Sequence, residues 1–263
     1  MAEINKSKIE VTDGALIPEE GDKQVFSAWR ISFFGAIVVL VLLPILSPDP
    51  YLEIYAFIPD GILTTFKVTL VSIAFSLVIG LFTGLGRISN VTIINRVATV
   101  YVEVIRGIPL LVQLFYIYFA LGSFFQLSSI VSAVLAMSIC YGAYMGEIFR
   151  AGIQSIPQGQ MEAALATGMS RAQAMRYIIL PQTFRMILPP IGNEFIAMLK
   201  DSSLVSILAV SDLLRRGREY AATTFTYFES YTVVALMYLI LTLFFSKLVA
   251  IMEARMDPRG KYK

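Results

Sequence analysis

The chain has no histidine and a single cysteine, Cys140. No intrachain disulfide can form, and a metal site of the usual imidazole and thiolate kind has too few ligands. The missing histidine also removes the commonest general base. There is no G-x-x-x-x-G-K-[ST] phosphate loop, so the chain cannot by itself bind ATP in that mode, and neither a G-x-S-x-G elbow nor a zinc motif occurs. Charge is scarce too: Asp, Glu, Lys and Arg make up 15% of the 263 residues. Together these absences argue against catalysis, and a net charge of +2 gives no sign of a nucleic-acid partner.

What fills the chain instead is apolar. A hydrophobic share of 57% with positive mean hydropathy describes an integral membrane protein. A spanning helix needs a window of about 18 or more apolar residues, and six such windows occur: 29–46, 62–85, 105–121, 130–149, 187–210 and 231–251. The expectation is an all-α integral membrane protein with about six transmembrane helices. Trp29 opens the first window, and Tyr51 and Tyr55 follow its end, which suits anchoring at the membrane interfaces. The polar start of the chain delays the first apolar run beyond the place of an ordinary cleaved signal peptide. Residues 1–28 are therefore expected to form a flexible cytoplasmic tail ahead of an uncleaved span at 29–46.

Lys and Arg placement sets the orientation. Lys6, Lys8, Lys23 and Arg30 precede or open the first span, whereas 47–61 has neither residue type. Arg87 and Arg96 lie in the next loop, none lies in 122–129, and Arg171, Arg176 and Arg185 lie in the one after. Arg255, Arg259, Lys261 and Lys263 close the chain. Six spans with both termini cytoplasmic satisfy this pattern. Arg215, Arg216 and Arg218 do not, since they fall on the outer side. They fit either a docking surface for an external protein or plain solvation among Asp212, Glu219 and Glu229.

Charges within or beside apolar windows are costly and mark candidate functional groups. Glu103 and Arg106 are three apart, on one helical face, and so are Glu147 and Arg150. Both pairs fall near a helix end, as snorkelling anchors or as functional groups. Glu194, with Asn193 before it, lies near mid-membrane by the helical rise, and Lys200, Asp201, Ser202 and Ser203 lie further out. Acids with donors beside them suit a substrate carrying both an ammonium and a carboxylate, and equally suit a buried polar network between helices. Pro189 and Pro190 can break the helix just below Glu194. The spacings Gly80-x-x-x-Gly84 and Gly142-x-x-x-Gly146 fit close helix packing.

The most informative stretch is a polar island at 159–181. Good helix formers fill 160–167, Gly168 is placed to end that helix at positive φ, and Ser170 with Gln173 makes a capping box for a second helix that Pro181 should end. Ala163 and Ala164 leave one face nearly bare for the close approach of another protein. On residue types alone this is a helical hairpin between two spans. Its full spacing is Glu162-Ala163-Ala164, three residues, Gly168, nine residues, Ile178, one residue, Leu180-Pro181. That pattern resembles the coupling loop of ATP-binding-cassette (ABC) import permeases. Residues 60–70 (DGILTTFKVTL), 101–113 (YVEVIRGIPLLVQ), 144–152 (YMGEIFRAG), 199–204 (LKDSSL) and 212–214 (DLL) are similar to blocks of the polar amino-acid branch of that family.

The resemblance implies a five-span permease core over 60–252 with its coupling loop at 151–185 and a cytoplasmic tail at 253–263. The tail 1–28 and span 29–46 depart from it as an addition. It implies a subunit in a bacterial cytoplasmic (inner) membrane that imports a polar amino acid by alternating access. Gly159, Gln160, Glu162, Ala163, Ala164, Gly168, Leu180 and Pro181 would couple it to ATPase subunits. ATP and Mg would sit on those partners, with no cofactor on this chain. An extracytoplasmic amino-acid-binding protein, a second permease copy (identical or paralogous) and membrane lipid complete the implied surroundings. Two other classes share the composition: an ion-coupled transporter or channel, and a membrane assembly subunit with no transport site of its own.

Overall fold

A computed structural model describes residues 27–256, and every regular element among them is helical. Residues 1–26 and 257–263, most of the two expected tails, lie outside that range. Helix α1 spans Ala28–Leu46, with the Ser27 hydroxyl accepting from the Arg30 amide at its start. Ser47 breaks the chain, Pro48 opens the short α2 (Pro48–Phe57), and Pro59 opens the long α3 (Pro59–Arg87). Then follow α4 (Thr92–Gly107), α5 (Leu110–Phe115), a π-helical turn at Tyr116–Leu121, and α6 (Gly122–Phe125). Helix α7 is Ser129–Gln154, α8 is Gln158–Ala166, and α9 is Arg171–Ala174. A second π turn, Met175–Ile179, runs into α10 (Leu180–Asp201). A 3₁₀ segment at Ser202–Leu208 leads to α11 (Leu213–Thr224) and α12 (Tyr227–Met256).

Four stretches are long and apolar enough to cross a membrane: Ala28–Leu46, Pro48–Arg87, Ser129–Gln154 and Tyr227–Met256. Helix α4 and the run Leu110–Phe125 make a fifth only if taken together, and they meet at 102°. The window at 105–121 is therefore not one continuous helix, contrary to expectation. Pro109 has no amide proton to donate and forces the preceding Ile108 into extended backbone (φ −108°, ψ 128°). Gln113 covers the break, its Nε2 donating to the Ile105 and Ile108 carbonyls at 2.8 Å each. The opposite happens in α10, which runs straight through Pro189 and Pro190 instead of breaking below Glu194. Arg185 and Glu194, with Gln182, Asn193 and the two prolines, make it less apolar than the four stretches above.

Helices α3 and α7 form the centre of the fold, and the two glycine spacings are why. They face each other. A Cβ on Gly80 would come 2.3 Å from Met145 Cβ, and one on Gly84 would come 2.7 Å from Phe149 Cβ. From the other side, a Cβ on Gly142 would meet Ile79 Cγ2 at 2.6 Å, and one on Gly146 would meet Thr83 Cγ2 at 2.9 Å. At this separation small hydroxyls replace side-chain packing: Thr65, Thr69, Ser72 and Ser76 are fully buried at helical spacing along α3. Thr69 and Ser76 donate to carbonyls one turn back, at 2.8 and 2.7 Å. Ser138 donates to the Ser72 carbonyl across the interface at 3.4 Å. Such small-residue contacts are how helices associate where solvent supplies no hydrophobic drive.

Helix α1 packs on α12. Trp29 Nε1 donates to the Leu243 carbonyl at 3.0 Å, with Lys247 Nζ 5.3 Å from its ring centre. Tyr51 and Tyr55 both contact the rest of the protein. Tyr51 is buried with Ile54 and Ile58 against Leu213, Tyr220 and Val233, and the Tyr55 hydroxyl donates to the Leu40 carbonyl at 2.5 Å. The three arginines at 215–218 lie on α11, and two are paired. Arg215 Nε meets Glu219 Oε1 at 2.6 Å, while Arg216 holds Asp60 through Nε at 2.9 Å and lies 4.7 Å over the Phe57 ring. Asp212 is no surface counter-ion, because its buried carboxylate caps α11 by accepting from the Leu214 and Arg215 amides.

Gly80→Ala should lower stability by about 1–3 kcal/mol through overpacking against Met145. Gly35→Ala on α1, where nothing lies within 4 Å of the added methyl, should be neutral or slightly stabilising. Thermal unfolding of the two variants in one detergent checks this, and equal melting temperatures would contradict the packing account.

Candidate functional site

The polar island folds as expected up to Gly168. Met169 N donates to the Ala164 carbonyl and Gly168 N to the Leu165 carbonyl, with Gly168 at φ 87°, so α8 ends in a Schellman motif. Ser170 and Gln173 form the capping box, with the Gln173 side chain accepting from the Ser170 amide at 2.8 Å. Two details differ from the sequence reading. Pro181 ends nothing: it stands in the first turn of α10, where its missing amide proton is harmless. Ala164 is buried against its own chain, so the bare face belongs to Gly159, Gln160, Glu162 and Ala163, all exposed. Leu180 and Pro181 are exposed as well.

A cluster of charge links the ends of α3 and α7. Glu147 receives Arg150 Nη2 at 2.9 Å, the expected i, i+3 pair, and also binds Arg87. Arg150 Nη1 reaches on to Gln154 Oε1 at 2.6 Å. Glu103 and Arg106 form no such pair. Arg106 turns away, with its guanidinium carbon 5.0 Å from the Tyr144 ring centre.

Arg106 instead borders a cavity of about 440 Å³ beside the broken helix. Gly107–Leu110 form one wall, Tyr141 and Tyr144 of α7 a second, and Glu194, Ala197 and Asp201 of α10 a third. The α10 residues recur at three and four, which puts them on one face. Tyr141 donates its hydroxyl to Asp201 Oδ2 at 2.8 Å, fixing that carboxylate. One guanidinium, two carboxylates and the backbone of the helix break thus converge on a single space. Of the sequence candidates, this cavity gathers Glu194 and Asp201. Asn193 and Lys200 are exposed outside it, Ser202 is buried with its hydroxyl on the Leu199 carbonyl at 2.7 Å, and Ser203 does not border it.

Residues 76–258 match the family described as binding-protein-dependent transport system inner membrane component. The chain belongs to this family. As a permease it is 42% identical over 200 residues to the glutamine transport system permease protein of Escherichia coli (strain K12), covering 75% of this chain and 91% of that one. It is 40% identical over 199 residues to the L-cystine transport system permease protein of Bacillus subtilis (strain 168), covering 75% and 85%. A solved structure described as an amino acid ABC transporter with histidines shares 43% identity at TM-score 0.73, over 80% of this permease and 97% of that chain. An inward-facing MetNI methionine ABC transporter shares the fold at 20% identity and TM-score 0.66. Family membership makes this a membrane transport subunit, of a multi-pass inner-membrane kind, that works with a binding protein and an ATPase.

Sequence reading missed Tyr141 and Tyr144 and took Arg106 for a helix-end partner of Glu103. The available signal was Gly107-Ile108-Pro109 within an apolar window, which marks a bend that turns the preceding Arg106 inward. The two tyrosines, three apart on α7, gave no signal distinct from ordinary core.

Glu147→Gln should destabilise the permease by about 1–3 kcal/mol, since it strips the charge shared by two arginines. Asp60→Asn, at an exposed pair, should cost at most about 1 kcal/mol. Melting temperatures of both variants in the same buffer test the ranking, and an equal or larger loss for Asp60→Asn would contradict it.

Proposed function

We propose that this chain is the permease subunit of an ATP-driven importer of a polar amino acid. The observation that carries this reading is the cavity beside the broken helix. A free amino acid brings a carboxylate and an ammonium, and the cavity offers Arg106 to the first and Glu194 and Asp201 to the second, with bidentate geometry available only to the guanidinium. The family relation and the amino-acid cargo named for its relatives support the same class. An ion-coupled transporter has no use for α8, and an assembly subunit has no use for a charged cavity.

In this proposal the core is 60–252, α10 counts as a span despite its charges, and six spans leave both termini in the cytoplasm. The 151–185 segment then faces an ATPase, with Gly159, Gln160, Glu162 and Ala163 touching it, Gly168 setting the angle of α8, and Leu180 and Pro181 flanking the contact. Ala164 acts by packing α8 onto its own chain. ATP and Mg remain on the ATPase, and a second permease copy, identical or related, completes the pathway. Nucleotide can shift the balance of inward- and outward-open states only through contacts that differ between them. A rigid helix ended by a Schellman motif transmits such a difference, and rigid-body movement of helix groups around the cavity is the corresponding motion.

The test separates cargo binding from assembly. The complex of permease, ATPase and binding protein is reconstituted, and uptake and melting temperature are measured on the same preparations. Glu194→Gln and Asp201→Asn should each reduce uptake tenfold or more, in keeping with the loss of about 1.5–3 kcal/mol for one charge-assisted hydrogen bond, while assembly and basal ATP hydrolysis persist. Unchanged uptake in both variants would move the pathway elsewhere. Gly168→Val places a β-branched residue at φ 87°, at a cost of about 1–3 kcal/mol. It should insert normally yet uncouple hydrolysis from uptake, and full coupled transport by it would remove α8 from the mechanism.

A further inference from the structure

A second cavity, of about 550 Å³, lies between α3 and α7 and shares no lining residue with the first. Its walls are apolar and open outward: Val71 is 44% exposed, Phe75 57% and Leu135 40%. Apart from Ser138, whose hydroxyl is given to the Ser72 carbonyl, its polar residues stand at one end. Thr64 and Lys67 stand there, three residues apart and so on one face of α3. Lys67 is exposed and makes no hydrogen bond or ion pair with any described residue. Asp60, the acid in the same helix, is held by Arg216.

An unpaired ammonium in a spanning helix needs an anion, and an apolar trough below it needs a chain. We propose that this groove binds one anionic phospholipid, its phosphate on Lys67 and Thr64 and an acyl chain lying along Val71, Phe75 and Leu135. The dimensions agree. From Lys67 to Ile79, at the far end of the groove, is twelve residues, or about 18 Å of helix. One leaflet of hydrocarbon is about 15 Å deep, half the core thickness of a bilayer. An acyl chain from the leaflet adjoining the α3 N-terminus is thus long enough to run the groove, with Lys67 at its headgroup-proximal end. With both termini in the cytoplasm this is the outer leaflet. Lipid in the groove would fill the flank of the α3–α7 pair whose close contact the glycines create.

The test uses the full transporter complex in nanodiscs of phosphatidylglycerol and phosphatidylcholine with matched acyl chains, followed by delipidation and native mass spectrometry. Wild type should retain phosphatidylglycerol over phosphatidylcholine by about fivefold, the equivalent of ~1 kcal/mol for a lysine near an anionic surface. Lys67→Met should abolish the preference, Lys67→Arg should keep it, and Leu135→Trp should lower retention of both lipids by filling the trough. Phe75→p-benzoylphenylalanine should photo-crosslink to lipid. The proposal is overturned by equal retention in wild type, by a preference that survives Lys67→Met, or by crosslinking of position 75 to a second permease copy in place of lipid.

Discussion

The fold depends on the contact between α3 and α7, where four glycines let two helix backbones meet with almost no side chain between them. Each glycine sits where a methyl group would strike the partner helix closer than 3 Å. In a bilayer this is a strong way to fix two helices, because close dispersion contact and buried hydroxyls replace the missing hydrophobic drive. It also fixes rotation. With Gly142 and Gly146 against α3, Tyr141 and Tyr144, one and two residues away round α7, point away from α3, and that is where the charged cavity lies. Glu147 comes next on the same helix and meets Arg87 at the end of α3.

The second constraint is the handling of backbone groups where helices break. At Ile108-Pro109 the chain turns by 102°, and helix-end carbonyls there need partners from outside the regular helix pattern. Gln113 satisfies two of them, and the rest of the bend opens on a polar cavity, the setting in which irregular backbone is tolerated at membrane depth. Two adjacent prolines in α10 produce no break. Proline removes one donor and strains one carbonyl, but the helix is retained because its flanks pack: Ile187 lies against Gly152 of α7, and Gly192 lies against Val249 of α12. Proline therefore bends the chain where the next residues gain a better arrangement, and not elsewhere.

Helices α1 and α2 join the rest of the fold through specific contacts. Helix α1 presents a mostly apolar surface outward and binds α12 along one edge, while α2 lies across the start of α11. Glu53 accepts from the Tyr220 hydroxyl at 2.9 Å, and Arg216 is held by both Asp60 and the Phe57 ring. Two of the three arginines that depart from the charge bias are thus paired within the protein. Arg218 alone of the three is exposed without an ion pair among the described residues.

What the sequence determined by itself was local and periodic. Apolar windows long enough to cross a membrane, the positive φ at Gly168, the Ser170–Gln173 box and the Glu147–Arg150 pair all follow from residues within a few positions of one another. What only the tertiary structure decided was partnership across the chain. Arg106 prefers the Tyr144 ring to Glu103, Asp201 is held by Tyr141 and not by its neighbour Lys200, and Ala164 faces inward while Ala163 faces out. A helical face can be read from spacing, but which neighbour occupies it is set by the rotation that the α3–α7 glycines impose and by the bend at Pro109. Those are packing energies between segments far apart in sequence, and no single segment contains them.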